Sequence, residues 1–153
     1  MSKKSLPYEG ATAGEAALVQ LQKALAKFGC MTFGTGFDVE RGVTIVQFKW
    51  RTRNVQLEAS WKGYAQAWLN VHPYKWNSRC TRDQHEQRAL DQAKISVCSI
   101  LRDWVSGQIA AVECGIMSFE AAFMPHMLLE NGQRVIDRVQ TEMLPMLENH
   151  NDR

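Results

Sequence analysis

The sequence predicts an α+β fold: an N-terminal helix, a three-stranded antiparallel sheet, then four helices including one long central helix. Three observations carry this. Apolar residues recur at three- and four-residue steps before residue 29 and again after residue 60. Between residues 43 and 59 they alternate with polar ones instead. Strands and helices never alternate along the chain as a parallel doubly wound sheet requires.

Thr12 and Glu15 have the spacing of a capping box, so the first helix is expected to open at Thr12 and to close at Gly29. Leu18, Leu21, Leu25 and Phe28 form its apolar stripe. Cys30 to Phe37 reads as an irregular, glycine-containing strand, and Val43 to Trp50 is rich in β-branched and aromatic residues. A hairpin turn is expected around Thr52, Arg53 and Asn54. It joins a strand in which Val46, Phe48 and Trp50 alternate with Gln47, Lys49 and Arg51 to one in which Val55, Leu57 and Ala59 alternate with Gln56 and Glu58.

Ser60 can cap a helix whose Trp61, Tyr64, Ala65, Trp68 and Leu69 fall on one face, ending before Pro73. His72 to Cys80 has no period and reads as a loop. Thr81 and Gln84 offer a second capping box for the longest helix. Its stripe is Ala93, Val97, Ile100, Leu101, Trp104, Val105, Ile109 and Val112, and its stop is Gly115. A short helix from Ser118 to about Leu129, an Asn131-Gly132 turn and a last helix through Val135, Ile136, Val139, Met143 and Leu147 complete the reading. Helix, three strands and helix is also the element order of double-stranded RNA-binding domains. The lysine-rich start of the second helix that those domains use is missing, since Ser60-Trp61-Lys62-Gly63 carries one lysine.

A chain of 153 residues, 45% hydrophobic and 22% charged, suits a single domain over residues 1–153, with 1–10 expected flexible and 148–153 frayed. Cys30, Cys80, Cys98 and Cys114 are widely spaced and follow no C-x-x-C pattern, which points to reduced thiols in a cytoplasmic setting. Two lysines near the N-terminus are followed by no apolar run of a signal peptide, and no window has the length of a membrane span. No membrane partner is expected. The oligomeric state is not legible in these patterns.

The charge is distributed unevenly. Residues 1–40 balance at zero, residues 83–153 carry −5, and residues 41–82 hold eight bases against Glu58 alone, for +7. The same basic stretch contains Trp50, Trp61, Trp68 and Trp76 with Tyr64 and Tyr74. Cations neutralise phosphates and release counterions, while interleaved rings stack on bases, a combination suited to single-stranded nucleic acid. Lys49, Arg51, Arg53, Lys62, Lys75, Arg79 and Arg82 are therefore candidate phosphate contacts, and Tyr74 and Trp76 candidate stacking platforms. Trp50, Trp61 and Trp68 fit the apolar faces and read as core. Lys49, Arg51 and Arg53 are expected to share the exposed hairpin face with Gln47; these cations fit equally a charged edge that discourages strand addition, and a basic surface also suits an acidic protein.

Catalytic patterns are missing. No Walker loop, G-x-S-x-G elbow or H-E-x-x-H motif occurs, and Gly34-Thr35-Gly36 opens no dinucleotide fingerprint. His72, Cys80 and His85 bracket the loop but match no structural zinc spacing. Asp38, Glu40 and Glu58 lie where a metal-dependent nuclease would need carboxylates to meet. No cofactor or metal is expected. Five methionines lie late, at Met117, Met124, Met127, Met143 and Met146, and suit core gaps or an adaptable protein-binding surface on the C-terminal helices.

The run from Leu101 to Phe123, with Gly115 as a helix stop and a following Ser118-Phe119-Glu120-Ala121-Ala122-Phe123 helix, resembles uncharacterised small accessory proteins of bacterial phages and mobile elements. The matching residues are structural, so no functional residue carries over. The resemblance implies an accessory protein of a mobile element, a class that includes nucleic-acid-binding factors and inhibitors of host defence. The expected function is non-enzymatic binding of nucleic acid or a ribonucleoprotein complex through residues 41–82. The alternative is an anti-CRISPR-like inhibitor of host defence acting by protein–protein contact, and the third reading is the small metal-dependent nuclease.

Overall fold

A computed structural model describes residues 5–148. Helix α1 spans Glu15–Phe28, with its N-cap at Gly14, two residues later than its capping box predicts. The reason lies in the long helix α3, Arg82–Glu113, whose side chains hold the preceding segment by its carbonyls. Ser96 Oγ donates to the Tyr8 carbonyl (2.8 Å), Gln92 Nε2 to that of Ala11 (3.0 Å) and Ser99 Oγ to that of Ala13 (2.8 Å). Thr12 sits inside this clamped stretch and cannot cap, so the N-cap falls to Gly14 with no side-chain bond. The expected flexibility of residues 1–10 does not extend to Leu6–Glu9. Leu6 packs on the core, Tyr8 Oη donates to Asp103 (2.6 Å) and Tyr64 Oη to the Pro7 carbonyl (2.7 Å). Residues 1–4 and the expected fraying at 149–153 lie outside the described residues.

Gly29 stops α1 at φ 109°, where a side chain would be strained. The sheet is a meander of β1 (Thr32–Asp38), β2 (Val43–Trp50) and β3 (Arg53–Ser60) in the order β1-β2-β3. Thr35 pairs with Val46, and Val46 with Leu57. The β2–β3 turn is Arg51-Thr52, not Thr52 to Asn54, because Trp50 pairs with Arg53. Register is set by the buried face: with Val46 opposite Leu57 and Phe48 opposite Val55, both strands bury their apolar rows, and a one-residue slip would turn one row outward. Parity then puts Arg53 on the core-side face beside Trp50, and Lys49 on the outer face opposite Asn54.

Helix α2 (Trp61–Val71) begins under the Ser60 cap, whose hydroxyl accepts from Gly63 N, and α3 begins with the complete Thr81–Gln84 capping box. At 1.5 Å per residue α3 is roughly 48 Å long. Its Ala93, Val97, Leu101, Val105 and Ile109 are buried against α1, α2 and the sheet, and Ile100, Trp104 and Val112 are partly covered. Trp61 and Trp68 belong to the same core, with Trp61 Nε1 donating to the buried Thr44 hydroxyl (2.7 Å).

The short helix after Ser118 ends far earlier than Leu129. Helix α4 covers Phe119–Phe123, and one 3-10 turn, Met124–His126, follows because Pro125 has no N–H to continue the ladder. Met127 then bridges Val55, and Leu128 N donates to the Asn54 carbonyl (2.8 Å), so this segment covers the hairpin half of the β3 edge. After the Asn131-Gly132 turn, α5 (Val135–Glu142) and α6 (Leu144–Glu148) replace the single last helix, with the break at Met143 before Pro145. No residue of α5 is fully buried.

Candidate nucleic-acid interface

The candidate contact residues divide among three places. At the hairpin, Phe28 and Trp50 stack with centroids 5.5 Å apart, Trp50 and Phe119 with centroids 4.3 Å apart, and Phe28 and Phe119 with centroids 6.4 Å apart, so the three rings form one cluster. Arg51 adopts φ 55° in the turn and lays its guanidinium over Trp50, 4.3 Å from the centroid. Arg53 pairs with Glu120 of α4 (3.2 Å). Lys49 alone of the three cations projects from the outer face, beside Gln47, Asn54 and Leu128. The expectation of one shared hairpin cation face is therefore corrected: turn position and parity send the three side chains to three surroundings.

Lys62 lies at the other end of the sheet. Its alkyl chain covers the β1–β2 turn, with Cγ and Cε 3.4 Å from where a Cβ on Gly42 would be. Next to it Lys94 Nζ sits 5.1 Å from the Trp61 centroid.

The third place is the loop between α2 and α3, and its order comes from its own contacts. Tyr74 Oη donates to the Cys80 carbonyl (3.0 Å), Ser78 N to that of Lys75 (3.0 Å) and Ser78 Oγ to that of Cys80 (3.2 Å). Arg82 lies over the Tyr74 ring at 5.4 Å, and Tyr74 meets His85 with centroids 5.7 Å apart. The two histidines tie off its base. His85 Nε2 donates to the His72 carbonyl (2.7 Å) and His72 Nε2 to Glu9 (2.8 Å), while both rings pack on Trp68. Tyr74 is thus a structural ring, whereas Trp76 is 90% exposed. Lys75, Arg79 and Arg82 are exposed, and none has a carboxylate within ion-pair distance among the described residues.

These places are far apart. His85, which touches Tyr74, and Trp104, which touches Phe123 and through it Phe48, stand nineteen residues apart on α3, roughly 28 Å. The +7 segment is not one surface.

Beside the loop, a groove of about 420 Å³ runs along the first turns of α3, lined by Glu9, Trp68, Gln84, Gln87, Arg88, Asp91, Gln92 and Ile95. Sequence reasoning gave Gln84 only its capping role and passed over Gln87, because polar residues on a helix exterior look alike whether they face water or a groove. The proximity of the two histidines in sequence was the one available signal, and its meaning was a closed loop base.

Two of the three carboxylates of the nuclease reading, Asp38 and Glu58, serve as ion-pair partners. Glu58 binds Arg41 (2.6 Å) and lies 3.4 Å from Arg134, and the Arg41 guanidinium holds its carboxyl below the ordinary range; Asp38 also faces Arg41 (3.9 Å). Among the described residues no three metal-ligating side chains gather. Burial pushes the Cys30 thiol up to about 11, which leaves it protonated and unreactive at neutral pH. No described helix is long and apolar enough to cross a membrane.

No described protein family, curated protein or solved structure matches the chain.

Proposed function

We propose that the chain is a non-enzymatic nucleic-acid-binding protein whose contact surface is the α2–α3 loop. One observation carries the reading: Trp76 is almost wholly exposed within a loop fixed at both ends, among Lys75, Arg79 and Arg82, which have no carboxylate at ion-pair distance among the described residues. An exposed ring held in place is ready to stack on a base without first being ordered. The cations flank it at phosphate-contact positions, and the positive end of the α3 dipole opens into the same loop. The hairpin cations and Lys62 are left out of this surface.

The test is fluorescence anisotropy of labelled single-stranded DNA and RNA twenty-mers over a range of salt. Three cations on a single strand give a log–log salt slope near −2, at about −0.7 per phosphate neutralised. Absence of binding at about 50 mM salt overturns the reading, since electrostatic binding is strongest there.

A second reading has its own observation. Met117, Met124, Met143 and Met146 are all about half exposed or more, on the segments that follow α3. Such flexible apolar side chains suit a protein groove, as an inhibitor of a host defence complex would need. The resemblance over Leu101–Phe123 favours a phage or mobile-element origin for either reading.

A further inference from the structure

We propose that two copies of this chain join edge to edge through β1, antiparallel about Thr35, to form one six-stranded sheet. Strand β1 is an open edge: β2 pairs with one side, and no described strand or bridge pairs with the other. Natural edges are usually blocked by lysine, proline or a bulge. Strand β1 contains no lysine and no proline, its one charged residue, Asp38, is its last and faces Arg41 (3.9 Å), and β1 pairs with β2 residue for residue without a bulge.

The sequence of this edge is its own complement. Phe33-Gly34-Thr35-Gly36-Phe37 reads the same in both directions, and the symmetry extends outward in kind to Met31 and Val39. In an antiparallel pair about Thr35, Phe33 faces the copy's Phe37, Gly34 its Gly36, Met31 its Val39, and Thr35 itself. Every partner differs by an even number of positions. Whichever alternate residues aim their N–H and C=O outward therefore meet groups that also aim outward, so the ladder closes. This is the self-complementarity a two-fold interface demands.

One further feature finds its reason in this pairing. The exposed apolar side chains gather here, with Met31 94%, Phe33 37%, Phe37 49% and Val39 78% exposed. They share one face with Thr35, whose hydroxyl accepts from Gln22 Nε2 of α1 (3.1 Å). Val19 and Ala26, both exposed, lie on the α1 face of Gln22, so the helix layer extends the patch. A standard dimer buries about 800 Å² per partner, so the proposed interface needs the helix face as well as the edge strand.

Light scattering after size exclusion, over rising concentration, reads the mass directly. The expected result is twice 17.4 kDa for the natural chain. Thr35→Lys and Thr35→Glu each place like charges on the two-fold axis and give monomers, and their equimolar mixture restores the dimer. A natural chain that stays monomeric at about 1 mM overturns the proposal, as do single variants that remain dimeric or a mixture that stays monomeric. Hydrogen exchange of the natural chain gives a reading free of substitutions: alternate β1 amides slow as concentration rises, and uniform fast exchange on that edge overturns the pairing. Oligonucleotide binding through Trp76 is a separate readout, unaffected by either result.

Discussion

The two ends of α3 carry the same kinds of residue and use them in opposite ways. At the hairpin end Trp50 clusters with Phe28 and Phe119, Arg51 lies on Trp50, and Arg53 is paired with Glu120. At the loop end Trp76 is bare, and Lys75, Arg79 and Arg82 have no acidic partner among the described residues. A count of cations and rings along the chain cannot separate these cases. What separates them is whether the fold supplies a ring's neighbours itself or leaves the ring exposed.

Substitution of the two ends should divide stability from binding. Phe119 is 2% exposed and touches Phe28, Phe48, Trp50 and Phe123, so Phe119→Ala should cost about 3–5 kcal/mol, the usual range for a buried aromatic left as a cavity. Trp76→Ala should stay within about 0.5 kcal/mol of the natural chain. Urea denaturation compares them. A large loss in Trp76→Ala would mean that the loop ring is structural after all.

For oligonucleotide affinity the order reverses. Trp76→Ala should weaken binding roughly 5- to 150-fold, the equivalent of about 1–3 kcal/mol for one stacked base. Lys75→Glu with Arg79→Glu should weaken it further and flatten the salt slope, whereas Lys49→Glu should leave both nearly unchanged. Anisotropy at matched salt makes the comparison, and an equal loss from Lys49→Glu would restore a single basic surface.

The Arg53–Glu120 pair sharpens the contrast on a smaller scale. Both side chains are partly exposed, at 50% and 39%, so a double-mutant cycle with alanine at each position should return about 0.2–1 kcal/mol of coupling. Zero coupling would release Arg53 as a free cation and move it back among the candidate contacts.

The α+β order, the buried stripes, the Ser60 and Thr81 caps and the loop at 72–80 were legible because each depends on residues close in sequence. The misplaced features depend on distant ones. The α1 start was moved by Gln92 and Ser99, which no local pattern relates to residues 11–13. The hairpin turn was misplaced because polarity at Thr52 to Asn54 suggests a turn, while the register is fixed by pairing Phe48 with Val55. In the site, Trp76 was found because an aromatic ring without a period has no core to explain it. Tyr74 shared that signal and proved structural, since its bond to the Cys80 carbonyl depends on how the loop closes.

The hairpin end also holds a titrating group whose effect is the smallest of those expected. His126 Nδ1 is buried with no hydrogen-bond partner among the described residues, and its ring meets Trp104 edge-on at 5.4 Å. Burial first, and the Arg134 charge second, lower its pKa below the ordinary 6.5. The unfolded chain therefore takes up a proton near pH 6.5 while the folded chain still resists it. Stability from this group is complete above that value and is lost as pH falls toward the folded-state pKa. Urea midpoints at about pH 7.5 and about pH 5.5 should fall less between the two conditions in His126→Phe than in the natural chain. Parallel declines would assign the acid sensitivity to other groups, and a rise in the natural chain at the lower pH would reverse the sign argued here.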